Sequence, residues 1–141
     1  MARPRVVIDT NVVVSALRSR RGCAFQVLMA TGGDQFDVAI SVPLVLEYEA
    51  ALREQRGVVF TDSDIQVVLD YLCLIGHRQP VFFLWRPQLP DPKDDMVLEL
   101  AVAAGCRAVV TYNGRDFRGA ERFGVQVWTP RDLLKTVGLL S

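Results

Sequence analysis

The stretch RVVIDTNVVVSAL, residues 5–17, decides the fold. Arg5–Ile8 is short and β-branched, and it lacks polar alternation, as expected of a strand buried on both faces. Asp9 interrupts the run, and Thr10 or Asn11 can cap a helix continuing through Leu17. The same alternation recurs down the chain. Strands are expected at Phe36–Ile40, within Pro80–Trp85, at Ala108–Thr111 and at Val125–Trp128. Between them lie helical stretches with their own punctuation. Ala24–Ala30 is closed by Gly32 and Gly33. Ser41 caps a helix with Pro43 in its first turn, running to about Arg53. Thr61 and Asp64 form a capping box before Ile65, Val68, Leu69, Leu72 and Ile75, which keep the helical period. Asp91–Asp95 launches a helix through Ala104 that Gly105 ends, and Thr129–Asp132 caps a last helix through Val137. Strands separated by helices indicate an α/β layer with a mostly parallel central sheet.

Composition narrows the classes. The chain has 141 residues, 50% hydrophobic and 23% charged, which fits a single domain over 1–141 with a real core. Sixteen basic residues balance sixteen acidic ones, so no bulk basic field marks a nucleic-acid binder, and any such contact needs a local patch. Cys23, Cys73 and Cys106 are widely spaced and read as reduced thiols of a cytoplasmic protein. With one histidine and no ligand spacing, zinc is not expected. Asp9 breaks the first apolar run, against a signal peptide, and no run of roughly 18 apolar residues predicts a membrane span.

In a parallel sheet, sites form beyond the carboxyl ends of the strands. Asp9 ends the first strand and Asp116 follows the fourth. Glu47 lies in the helix after the second, flanked by Leu44, Val45, Tyr48 and Ala51, and Asp94 and Asp95 start the helix that feeds the fourth. Carboxylates gathered in one pocket repel by ~4 kcal/mol per pair at about 4 Å and an effective dielectric near 20. A proton relieves this, and so does a hard divalent cation such as Mg²⁺ or Mn²⁺. Such an ion suits phosphodiester hydrolysis by water. Other catalytic apparatus is missing: His77 stands alone near a helix end, and no phosphate-binding glycine loop occurs.

Three stretches carry a family resemblance. VVIDTNVVVSAL (6–17) resembles the opening of PIN-domain ribonucleases, SVPLVLEYEAAL (41–52) their second motif, and LPDPKDDMVLELAVAAGCRAVVTYNGRDF (89–117) their third and fourth. The resemblance spans roughly residues 5–130. It implies a three-layer α/β/α sandwich and a Mg²⁺- or Mn²⁺-dependent endoribonuclease. Asp9, Glu47, Asp95 and Asp116 take the four acidic, metal-binding and catalytic positions. The match is nearest to VapC-like toxins of toxin–antitoxin pairs, implying a homodimer, an RNA substrate and a small antitoxin partner. The DPKDD form departs from the family's shorter third motif, so Asp91 or Asp94 could share the metal role. Tyr112 fills a slot where Arg, Gly or Asn is common.

Around these acids, Asn11 and Asn113 are candidate substrate contacts, though each could simply cap or turn the backbone. Thr111 is placed to hydrogen-bond a metal-binding carboxylate. Arg18, with Arg20 and Arg21, and Arg115, with Arg118, are candidate phosphate contacts or solvated charge. The alternative to an enzyme is a catalytically silent PIN-like module that binds RNA or protein.

Overall fold

The computed structural model describes residues 3–57, 59–81 and 89–141. The chain runs β1 (Arg5–Ile8), α1 (Thr10–Arg18), α2 (Cys23–Ala30), β2 (Asp37–Ile40), α3 (Val42–Glu54), α4 (Asp62–Ile75) and β3 (His77–Arg78). It continues through α5 (Pro92–Ala103), β4 (Ala108–Val110), two 3₁₀ turns (Gly114–Phe117 and Ala120–Phe123), β5 (Gln126–Trp128) and α6 (Pro130–Thr136). The five strands form one sheet in the order β3-β2-β1-β4-β5, with every pairing parallel.

Consecutive residues of a strand point to opposite faces. Val6, Val7 and Ile8 are all buried, as are Ala108, Val109 and Val110, so protein covers both faces of the sheet centre. The result is an α/β/α sandwich, as the sequence implied. α1 packs on α2 and α3, α2 also meets α6, α4 packs on α3, and α5 contacts β1, β2 and β4.

The expected caps form. Ser41 Oγ accepts from Leu44 N–H, and both capping boxes, Thr61 with Asp64 and Thr129 with Asp132, are complete. Gly105, just past α5, has φ +65°, a conformation that glycine adopts without strain.

Two expectations are corrected. The cap of α1 is Asp9 itself, not Thr10 or Asn11. Asp9 keeps the extended backbone of the strand it ends (φ −68°, ψ 152°), so the helix begins one residue earlier than expected. The third strand described is His77–Arg78, paired with Ala39 and Ile40. Gly76 closes α4 through its N–H to Leu72 O, and the chain extends at once. Pro80 and Val81 follow outside any strand, and 82–85 of the expected strand lie outside the described residues.

Candidate active site

The strand order makes the site. From β1 the chain moves to β2 on one side, and later returns to β4 on the other, so the connections diverge between β1 and β4. At such a switch point the carboxyl ends of the strands border a crevice. Here Asp9 leaves β1 beside Thr111–Asn113 leaving β4, and Asp9 N–H donates to Val110 O at 2.9 Å.

Asp9 is 7% exposed and held from two sides. Thr10 N–H donates to its Oδ1 at 2.9 Å, and the Thr111 hydroxyl donates to Oδ2 at 2.8 Å. Thr111 Oγ1 in turn accepts from Asn113 N–H (3.0 Å) and Asn11 Nδ2 (3.3 Å). Asn11 Oδ1 accepts from Tyr112 N–H at 3.2 Å. Asn11 thus ties the first turn of α1 to the loop after β4. Beneath, the buried Tyr48 hydroxyl donates to Ile8 O and anchors α3 to the end of β1.

A cleft of about 560 Å³ opens above this frame. Asp9, Glu47, Asp91, Asp94 and Asp116 line it, with Arg18, Lys93, Asn11 and Asn113. Glu47 reaches it from the second turn of α3, and Asp116 from a 3₁₀ turn seated by the buried Phe117. Two helix N-termini, those of α1 and α5, bring their favourable dipole ends to these acids. Burial nevertheless raises the Asp9 pKa above the usual carboxylate range. Hydrogen bonds from Thr111 and Thr10 oppose the rise, while the nearby Asp116 and Glu47 add to it. Burial, then Asp9, Asp116, Asp91 and Asp95, push Asp94 up to about 7. Acid crowding of this kind is what a divalent cation relieves.

The structure brings Asp9, Glu47 and Asp116 together but not Asp95. Adjacent helix residues point about 100° apart. Asp95 is 1% exposed and turned inward, where its Oδ1 accepts from Leu89 N–H at 2.9 Å and braces the turn before α5. Glu99, one turn later, is buried as well. It is Asp94 that lines the cleft. Asn11 and Asn113 lie on the wall, and Arg18 stands at the cleft with its Nη1 on Gln55 Oε1 at 2.9 Å. Arg115 is exposed beside Asp116 and outside the lining.

Sequence reading passed over Lys93, whose Nζ sits 3.5 Å from Glu47 Oε1. Its signal was a cation in a helix N-terminal turn otherwise filled with acids. Among the described residues, no three His, Cys, Asp or Glu side chains stand close enough together to hold one ion, so binding would require the cleft acids to draw in. The hard oxygen donors of the cleft fit a Mg²⁺-type ion that keeps several waters.

The sequence profile of the PIN domain family matches residues 5–115. The chain belongs to the PIN domain family. The matched segment carries four of the five cleft acids, and Asp116 follows one residue past its end. This PIN domain is also similar in fold to a chain in the crystal structure of VapBC2 from Rickettsia felis bound to a DNA fragment from their promoter. The TM-score is 0.63 at 15% identity, over 88% of this chain and 98% of that one. No curated protein matches this PIN domain in sequence. Among the described residues, no helix is long and apolar enough to cross a membrane.

Proposed function

We propose that this PIN domain is a Mg²⁺- or Mn²⁺-dependent endoribonuclease, with Asp9, Glu47, Asp94 and Asp116 as its metal-binding acids. Asp91 stands at the rim as a further oxygen donor. The observation that carries the reading is the convergence of acids from four separate segments on the β1/β4 switch point. Asp94 replaces Asp95 in the set because its carboxylate, not that of Asp95, reaches the cleft.

What a divalent ion supplies in such a site is neutralisation of the phosphate charge and a more acidic attacking water. The chain's own residues do the positioning. Thr10 and Thr111 fix both oxygens of Asp9, so it meets a cation without rearrangement. Asn113 and Asn11 present amides at the cleft wall to sugar or phosphate oxygens of the RNA. Arg18 and Arg115 flank the cleft as phosphate contacts. The similarity to VapBC2 supports a partner of the antitoxin kind; a homodimer acting in the cytoplasm is part of the same proposal and follows from the resemblance to VapC-like toxins. The three cysteines, all free, suit that compartment.

The purified protein is expected to cleave single-stranded or looped RNA with Mg²⁺ or Mn²⁺ and to stop in EDTA. Asp9→Asn is expected to lower cleavage about 100-fold or more while still folding, because Asn caps a helix as well as Asp; losing the bond from Thr111 lowers its melting point only modestly. Full metal-dependent cleavage by that variant sinks the assignment. Metal uptake without cleavage of any RNA points to the silent interaction module instead.

A further inference from the structure

We infer that Lys93 is a resident counter-ion of the acidic cleft, displaced from Glu47 by the divalent ion and then directed at the phosphate of the substrate. The inference rests on the metal-nuclease reading above.

Lys93 is the second residue of α5, after the cap Asp91 and Pro92. The positive end of the helix dipole disfavours a cation there and favours acids such as Asp94 in the same turn. Among the described residues, no acid of its own turn forms an ion pair with this lysine, so the attraction that orders its ammonium comes from elsewhere. That attraction comes from across the cleft, where Glu47 on α3 lies 3.5 Å from the ammonium.

The second cation of the lining, placed above as a phosphate contact, is not a counter-ion to the cleft acids. The Arg18 guanidinium is engaged by the neutral Gln55 side chain. Among the described residues, Lys93 alone makes an ion pair with an acid of the cleft. Its partner Glu47 is one of the proposed metal-binding acids, so a divalent ion and the ammonium seek the same oxygen. Mobility favours exchange: the Lys93 side chain is 69% exposed and Glu47 22%. An ammonium on a flexible four-carbon stem can leave the carboxylate without disturbing the backbone. Once released, it stays tethered at the cleft, where the ion has taken up part of the acids' charge. There it can meet a non-bridging phosphate oxygen as a point charge.

The full chain tests this as wild type, Lys93→Met and Lys93→Arg, with Mn²⁺ affinity measured by calorimetry. Cleavage of a single-stranded RNA is followed at saturating Mn²⁺. Lys93→Met is expected to bind Mn²⁺ about 3- to 5-fold tighter, the scale of one exposed ion pair. Its KM for RNA is expected to rise about 5-fold, with Lys93→Arg holding KM near wild type. Mn²⁺ binding by Lys93→Met that is unchanged or weaker, or a KM that does not move, overturns the inference while the nuclease reading stands. A wild-type protein that takes up no Mn²⁺, or cuts no RNA with it, overturns both.

Discussion

Thr111 shows how much one side chain can carry. Its hydroxyl donates to Asp9 and accepts from Asn11 and Asn113, so it links β1, α1 and the loop after β4. Thr111→Val keeps the shape and removes every one of these bonds. Mn²⁺ affinity is expected to fall about 10- to 100-fold, as when the partner of a metal-binding group is lost. Calorimetry on the folded variant checks it, and wild-type affinity would show that Asp9 needs no such brace. A second residue-scale prediction concerns Cys106. Burial pushes its thiol up to about 12 against an ordinary 9.0, although Arg5 opposes the shift. The folded protein thus holds a proton that the unfolded chain releases near pH 9. That contribution is complete below pH 9 and is lost as pH rises towards 12. At pH 8.5, iodoacetamide is expected to modify the half-buried Cys23 and Cys73 well before Cys106, and all three at similar rates in urea. Equal rates in the native protein would contradict the burial argument.

Elements begin and end where local chemistry dictates, and most of that was readable from the chain. Ser41, Thr61, Asp91 and Thr129 start helices by accepting backbone N–H groups, which is a property of neighbours in sequence. Of the two misread boundaries, the start of α1 was a choice among three adjacent capping residues, whereas that of β3 depends on a partner far along the chain. β3 is two residues long because its ladder with Ala39 and Ile40 begins as soon as Gly76 releases α4. Gly76 is required there by space. A Cβ would lie 2.7 Å from Leu72 O and 3.1 Å from the Ile40 side chain. Gly76→Ala is therefore expected to lower unfolding free energy by about 1–3 kcal/mol in urea titration, the usual range for overpacking. Cleavage by the folded fraction should be unaffected, since Gly76 is not part of the cleft lining.

For the whole molecule, the sheet order turns scattered acids into a site, and that site should couple metal to stability. A ligand present at about 100 times its Kd stabilises the folded state by about 2.7 kcal/mol. Wild type is expected to melt higher in Mn²⁺ than in EDTA. Asp94→Asn should lose most of this rise. Asp95→Asn should keep the rise while melting lower in both buffers, because Asp95 braces Leu89 inside the fold. The reverse pattern would restore Asp95 to the metal and remove Asp94.

Through its family resemblance the sequence pointed to Asp9, Glu47 and Asp116 of the cleft, and by itself it determined the class of fold and the positions of most helices and strands. Those features follow from hydrophobic period, capping chemistry and strand ends, all of them local. The tertiary structure set Asp94 in the cleft lining and turned Asp95 to Leu89, placed Lys93 against Glu47, and made Asp9 both helix cap and cleft floor. Neighbouring residues of a helix share composition and propensity but face directions about 100° apart, and which direction meets the cleft is set by how α5 packs on the sheet.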